Sequence, residues 1–514
     1  MYLFCKSSAH SVFSNTREDR TDPHRLTLHG CRNAMCAGQI VLREHADFTV
    51  NSVAFTGFSA PFICGEGNVR YLYQDTITYN DGFPYPDKLS DDKSRFVKAE
   101  YSQSIWVIAD IDKDAVAGLC AFSAVIDTTA GVFTVPCIVR VYGVTVPDAD
   151  EGEFCLEYFL NPFYGEAGKL GSEKWYAFLE SYAESLRYVR NNSFDVCFLP
   201  LLTHARSKRV SETEWSLDFS FVDEYLDFML ARVPVKHISA RSIIASVFGD
   251  TVPVIDYDGS VKDVKYTEKD AGSWLYAYFK GIYEHFEKRG QLSLLQFRLQ
   301  DEPHYTECWK FAREICGKAA PGVICGEPID EHSSGLGLQG YCDQFIPRIN
   351  VYEEGEDYYD RRKKAGDQLW VYSCCFPEES WFLNKFIDQP HRYSRLMSWA
   401  CYARGIDGFL HWGYNYWSET SLYGTGAGAR FKGDGFIVYY DKENNRVTPS
   451  NRYYATLEGI AEYELLKIVE KKDPALAMSI CLSVARRFTD FENDPDLLDS
   501  ARIRLLEAAE ACSL

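Results

Sequence analysis

The chain has 514 residues, a formal net charge of −20, 15% aromatic residues and 17 cysteines. That length exceeds what one hydrophobic core usually organises, so more than one domain is expected. The acidic balance repels nucleic acid and anionic membrane surfaces at long range, and no segment approaches 18 uninterrupted apolar residues, so neither partner is expected. The opening MYLFCKSSAHSVFSNTREDRT carries no apolar signal segment, which predicts a cytoplasmic protein. The cysteines show no CxxC or metal-ligand spacing and many lie in apolar stretches. They read as reduced core thiols, with no metal or cofactor expected.

Residues 1–150 are strand-like. Gln39 to Leu42, Ser104 to Asp110, Leu119 to Asp127 and Val132 to Val146 are rich in β-branched and aromatic residues, and turn chemistry such as Asn80-Asp81-Gly82 separates them. Without an intervening long amphipathic helix, this predicts a β-sandwich ending near Val146-Pro147-Asp148.

From there to about residue 470 strands alternate with helices. Glu153 to Leu160, Asp195 to Leu202, Lys236 to Ala245, Gln291 to Gln300, Val323 to Gly326, Gln344 to Asn350, Gln368 to Cys375 and Gly408 to His411 are the strand candidates. Amphipathic stretches at Ser172 to Val189, Phe219 to Arg232, Ala271 to Arg289, Tyr305 to Ala319 and Asn384 to Arg404 lie between them. Eight β units with helical spacers predict an α/β architecture, a (β/α)8 TIM barrel over 151–470. No glycine-rich dinucleotide loop or P-loop follows any of these strands, which argues against a doubly wound sheet. Beyond it, a strand at Phe436 to Tyr440, a helix at Asn451 to Glu470 and a helical extension over 471–514 complete the pattern, with Asp490 to Asp499 read as solvated surface.

On such a barrel, polar residues at the C-terminal ends of strands are the functional candidates. In QLSLLQFRLQDEPH, Leu295, Phe297 and Leu299 alternate with Gln296, Arg298 and Gln300, and Pro303 keeps Glu302 out of a helix. Asp301 and Glu302 thus stand side by side on a stiff turn. Adjacent acids repel, so one holds its proton to a higher pH, as a general acid must. A regular strand would send the two to opposite faces, so a shared pocket requires a bend or bulge there. QLWVYSCCFP adds Trp370 and Tyr372, and GFLHWGYNYW adds His411, Trp412, Tyr414, Asn415 and Trp417: aromatic faces and an amide suited to a hexose. Other readings stand beside these. Asp301 could cap the next helix, the aromatics could be core packing, and His304 and His411 could be orienting or structural.

Several motifs together resemble glycoside hydrolase family 123: RLQDEPH at Arg298 to His304, YSCCFP at Tyr372 to Pro377, NKFIDQP at Asn384 to Pro390, RLMSWACYARGIDGFLHWGYNYW at Arg395 to Trp417, GDGFIVYYD at Gly433 to Asp441 and LEGIAEYELL at Leu457 to Leu466. The resemblance spans about residues 70 to 470, is strongest after 290, and is poorest in the N-terminal third, including HGCRNAMCAGQIVLR. It implies a β-sandwich joined to a (β/α)8 barrel and a β-N-acetylgalactosaminidase that retains configuration by a substrate-assisted route, in which the substrate's 2-acetamido oxygen replaces a protein nucleophile. Carried over, Glu302 protonates the leaving oxygen and later activates water. Asp301 orients the acetamide. Trp370, Tyr372, His411, Trp412, Asn415 and Trp417 are expected around the sugar. Asn384 and Arg395 are motif residues open to a structural role. The implied partner is an oligosaccharide or glycoconjugate, and self-association into a homo-oligomer stays open. The rival readings are a retaining glycosidase for N-acetylglucosamine or a neutral sugar, with Glu327 as nucleophile, and a non-catalytic carbohydrate-binding protein.

Overall fold

A computed structural model describes residues 1–59, 68–244, 249–417 and 431–513. In the N-terminal part, ten strands form two five-stranded sheets. One orders Tyr2–Ser7, Ala34–Arg43, Ser102–Ile111, Val69–Thr78 and Pro84–Ser90, all antiparallel. The other orders Leu26–Arg32, Gly131–Thr145, Gly118–Thr128, Phe48–Thr56 and Arg95–Val97, antiparallel except for the parallel first pair. Ile40, Ile105 and Val107 of the first sheet share one dry core with Leu28, Ile126 and Val139 of the second. The two-residue alternation that drives burial on one face thus operates in both sheets.

The rest is mixed α/β, built on nine parallel strands. Gly408–His411 lies beside Cys155–Tyr158, followed by Ser193–Val196, His237–Ala240, Leu295–Phe297, Ile324–Ile329, Gln344–Pro347 and Gln368–Leu369. Val371–Ser373 pairs on the far side of Gly408–His411. The two ends of this sheet are separated only by Trp370, whose N–H donates to Phe345 O at 3.0 Å. The sheet is therefore a nearly closed barrel. Glu157, Arg298 and Gln344 fill its interior: the buried Arg298 donates to Glu157 Oε2 at 3.0 Å and to Gln344 Oε1 at 2.6 Å. Gly326 and Gly408 make room for this filling, since a Cβ would come within 2.7 Å of Arg298 Nη1 at the first and 2.4 Å of the Trp370 ring at the second.

Several elements differ from the sequence reading. The strand expected to reach Leu202 ends at Val196, and Phe198–His204 is helical. Pro200 is tolerated there because first-turn N–H groups have no helical acceptor anyway. The helix expected from Asn384 begins at Arg392, beyond Pro390. A hairpin, Thr251–Ile255 with Val261–Lys265, is not among the expected elements although Asp256-Tyr257-Asp258-Gly259 spells its turn. Residue 245, the expected end of the third barrel strand, lies outside the described residues.

The helix Asn451–Glu470 is buried around nearly its whole circumference. It carries Arg452, which forks onto Asp87 of the N-terminal sheets with two 2.9 Å bonds, and Glu462, which receives Arg395 Nη2 at 2.6 Å. The helices Pro474–Leu482 and Pro495–Ser513 follow. The second buries Leu498, Ala501, Leu505 and Leu506 and packs on both Asn451–Glu470 and Gly131–Thr145. The expectation of a solvated surface over Asp490 to Asp499 is corrected at Asp499, which lies 3.6 Å from the buried Arg395. Among the described residues no helix is long and apolar enough to cross a membrane.

Candidate active site

The strand Leu295–Phe297 stops pairing regularly after Phe297, and one side chain explains why. Glu327 Oε2, on the neighbouring strand, accepts the N–H groups of Leu299 at 2.6 Å and Gln300 at 3.1 Å. A carboxylate thus takes the place of ladder carbonyls, and the chain leaves the sheet. Trp309 Nε1, from the helix Thr306–Ala319, donates to the same oxygen at 2.8 Å and locks the turn to the element that follows. Glu302 then adopts φ 43°, in the left-handed region that non-glycine residues rarely occupy. The bend that two adjacent acids need to share a pocket is present. Because the next helix starts at Thr306 with Tyr305 before it, Asp301 is not its cap.

Burial, followed by the charge of Glu302, pushes the Asp301 carboxyl up to about 7, and Arg241 opposes the rise. Burial also raises Glu302. Against that rise stand a hydrogen bond donated by the Tyr372 hydroxyl and the charges of Arg348 and His304. The residues feeding this field sit one position past the ends of their strands. Arg241 follows His237–Ala240, Asp330 follows Ile324–Ile329, and Arg348 follows Gln344–Pro347. Arg241 pairs with Asp195, donates to Tyr416 OH at 2.6 Å and lies over the Phe159 ring at 5.0 Å. His304 shares a 2.7 Å hydrogen bond with Asp330, and Arg348 donates to Asp330 O at 3.0 Å. Arg241, Asp330 and Arg348 are not among the residues expected from the sequence, although the strand-end rule that points to Asp301 applies to each.

A paired carboxyl site with raised proton affinity at the C-terminal rim of a parallel barrel suits acid and base work on a glycosidic bond. The catalytic-domain model of glycoside hydrolase 123 matches residues 199–469, more than half of the chain. The chain belongs to glycoside hydrolase family 123.

Among solved structures, a family 123 glycoside hydrolase from Clostridium perfringens, whose study concerns glycolipid glycan hydrolysis, is 14% identical to this family 123 chain. The match covers 99% of this chain and 98% of that one, with a TM-score of 0.77, a likeness of fold. A GH10 xylanase with a bacterial Ig-like domain from termite gut, at 11% identity, 80% and 96% coverage and a TM-score of 0.36, is far more distant. So is a β-D-glucuronidase from Dictyoglomus thermophilum, at 8% identity, 88% and 73% coverage and a TM-score of 0.35. No curated protein matches the chain.

The fold of this family 123 hydrolase distributes the expected sugar-binding residues unevenly. Tyr372 reaches Glu302. Trp412 is half-buried beside Tyr416, with centroids 5.2 Å apart, and its Nε1 donates to Asp434 Oδ2 at 2.8 Å. Trp370 is buried inside the barrel under Arg298, which lies 5.7 Å from its ring. His411 is fully buried, with Nδ1 2.8 Å from Ser373 O and Nε2 3.0 Å from Asp434 O, and burial pushes its proton affinity down to about 3. Asn415 is fully buried as well: its Oδ1 accepts from Asn161 N and Tyr182 OH, each at 2.9 Å, and its Nδ2 donates to Asn161 O at 2.8 Å. Trp417 packs against Tyr164 and Tyr440 and donates to Val438 O at 2.6 Å. A single aromatic box containing all six does not form, because residues past His411 leave the barrel to pack against neighbouring loops and the helix Glu173–Tyr188.

Asn384 holds the loop behind Tyr372, donating to Cys374 O at 3.0 Å and Pro377 O at 2.9 Å, and Arg395 is the buried partner of Glu462. All 16 described cysteines are free thiols, most of them buried.

Proposed function

We propose that this family 123 hydrolase removes β-linked N-acetylgalactosamine with retention, using the substrate's own acetamido group as nucleophile. The observation that carries the reading is the Asp301–Glu302 pair on its left-handed turn, with Tyr372 donating to Glu302. Glu302, whose proton affinity burial raises, gives its proton to the leaving glycosidic oxygen as the acetamide oxygen closes on the anomeric carbon. Asp301 accepts the acetamide N–H, which draws its carboxyl into the charged form and offsets the positive charge of the cyclising ring. Glu302 then takes a proton from the water that opens the oxazoline. Trp412, half-buried and held by Asp434, is the aromatic face offered to the sugar, with Tyr372 beside it. His411, Asn415, Trp370 and Trp417 act from behind, holding the strand ends that present this pair.

On this reading, residues 1–150 form the β-sandwich domain, 151–470 the catalytic barrel and 471–514 a helical extension. Taking Gln368 to Ser373 as one strand interrupted at Trp370 gives a (β/α)8 barrel. The conventional retaining alternative, with Glu327 as nucleophile, is disfavoured because Glu327 Oε2 already accepts three N–H donors inside the fold.

The test is p-nitrophenol release from the β-N-acetylgalactosaminide, β-N-acetylglucosaminide and β-galactoside. Hydrolysis should require the acetamido group and be inhibited by a thiazoline mimic of the oxazoline. Glu302→Gln should lose at least about a hundredfold in kcat while keeping the wild-type circular dichroism spectrum and melting temperature. Equal cleavage of the β-galactoside, or an active Glu302→Gln enzyme, sinks the assignment.

A further inference from the structure

Two thiols stand on the wall that carries Tyr372. Cys374 and Cys375 follow the strand Val371–Ser373 directly. Cys374 is buried and Cys375 is half-buried. The backbone around them is pinned: Cys374 N donates to Phe376 O at 3.1 Å, Phe376 N donates to Cys374 Sγ at 3.4 Å, and Asn384 holds Cys374 O at 3.0 Å. Cys374 belongs to the small apolar cluster of Tyr372, Trp370 and Leu410, and Cys375 packs on it together with Trp412 and Tyr416. A pair of adjacent thiols therefore stands beside Tyr372, the donor to Glu302, whereas most of the remaining described cysteines are buried in the core.

We propose that Cys374 and Cys375 form a thiol-modification site on the active-site wall, at which Cys375 captures a low-molecular-weight disulfide and Cys374 resolves it into a vicinal disulfide. Cys375 is half-buried whereas Cys374 is buried, so a small disulfide reaches Cys375 first, and the neighbouring Cys374 thiol holds Cys375 below the usual thiol range while Cys374 is raised well above it. The attacking and resolving roles follow. The Cys375 thiolate attacks one sulfur of RSSR, forming Cys375–S–S–R and releasing RS⁻. Cys374 then loses its proton and attacks the Cys375 sulfur, the bond to R breaks, and a second RS⁻ leaves. Two cysteine sulfurs are oxidised, the disulfide is reduced to two thiols, and the two cysteine protons end on them.

Neighbouring Cα atoms stand about 3.8 Å apart, closer than the roughly 4.4–6.8 Å that a relaxed disulfide spans, so the product is strained and easily reduced. The strain falls on the segment that positions Tyr372, two residues upstream. This coupling to turnover rests on the catalytic reading of Glu302.

The experiment incubates the purified protein with glutathione disulfide at mildly alkaline pH, then follows the 374–375 peptide by mass spectrometry and the aryl glycosidase rate in parallel. The peptide should lose two hydrogens, the rate should fall at least fivefold, and dithiothreitol should restore both. Cys374→Ser should hold a stable glutathione adduct on Cys375. Cys375→Ser should form neither species and keep its rate under oxidant. A peptide that stays reduced, a Cys374→Ser protein without adduct, or a Cys375→Ser enzyme inhibited as fast as the wild type overturns the proposal. Complete disulfide formation with an unchanged rate overturns the coupling to Tyr372. The peptide mass is read without turnover, so failure of the glycosidase assignment, shown by an active Glu302→Gln enzyme, is distinguishable from failure of this site.

Discussion

At the residue scale, Asp301 shows how a buried carboxyl weakens the fold that holds it. Its carboxyl stands at about 7 in the folded chain against an ordinary 3.8, mainly through burial. The folded state therefore holds a proton between those values that the unfolded chain has released. The resulting stability is fully present below about 3.8 and is lost as pH rises through about 7. Asp301→Asn should be more stable than the wild type at pH 8, by at most about 4 kcal/mol, with the advantage vanishing near pH 4. Chemical denaturation at the two pH values measures this, and an advantage that stays constant with pH refutes it. On the proposed mechanism the same variant should be a poor enzyme, because it could not carry the charge that offsets the cyclising ring. Much of this residue-level picture was legible in the sequence: the adjacency of Asp301 and Glu302, the block set by Pro303 and the raised proton affinity. The fates of His411 and Asn415 were not, since HWGYN reads equally well as a sugar-facing rim or a buried corner. Backbone acceptors and donors contributed by Ser373, Asp434 and Asn161 decide between them.

At the scale of elements, Glu327 and Gly459 each hold two pieces of backbone in place. Glu327 replaces a strand's ladder partners and so creates the bend that carries the acid pair. Glu327→Leu leaves the N–H groups of Leu299, Gln300 and Trp309 buried and unpaired, at a cost of roughly 3 to 5 kcal/mol. Urea unfolding should register that loss, and activity should fall even where the protein is fully folded, because the left-handed turn at Glu302 loses its cause. Gly459 lies where Asn451–Glu470 crosses Arg392–Ala403. A Cβ there would meet Arg395 O at 2.5 Å and Arg395 Cα at 3.0 Å. Alanine improves intrinsic helix propensity by about 1 kcal/mol, but a backbone contact cannot turn aside as a side chain can, and such overpacking costs about 1–3 kcal/mol. The clash wins, and Gly459→Ala should lower the melting temperature by several degrees. A rise would show that the two helices separate freely.

For the molecule as a whole, buried charged groups stand within the apolar joints between its parts. Arg452 forks onto Asp87 between the central helix and the N-terminal sheets. Arg395, Glu458, Glu462, Asp499 and Arg502 tie the last helix to the barrel's flank. Arg452, Asp87, Arg395, Glu458 and Glu462 are out of water, so their partners are obligatory. Arg395→Met should cost about 3 to 5 kcal/mol by leaving Glu462 and Glu458 buried with Arg502 as their remaining cation. Thermal unfolding is the check, and a near-neutral result would show that the network is solvated in solution.

The sequence by itself determined what depends on local pattern. Period-two alternation separated the strand-rich first 150 residues from the strand–helix repeat. Turn and proline chemistry located the Asp301–Glu302 pair, and ordered motifs from Arg298 to Leu466 carried the family resemblance. The tertiary structure decided what depends on partners distant in the chain. Glu327 bends the strand, Tyr372 addresses Glu302, and Arg241, Asp330 and Arg348 surround the acids from three other strands. The C-terminal helix is woven into the core through Arg395 and Asp499. The division has a physical reason: backbone preference and alternation act over a few residues, whereas hydrogen-bond satisfaction and the proton affinity of a buried carboxyl are set by whatever the fold brings within a few ångströms.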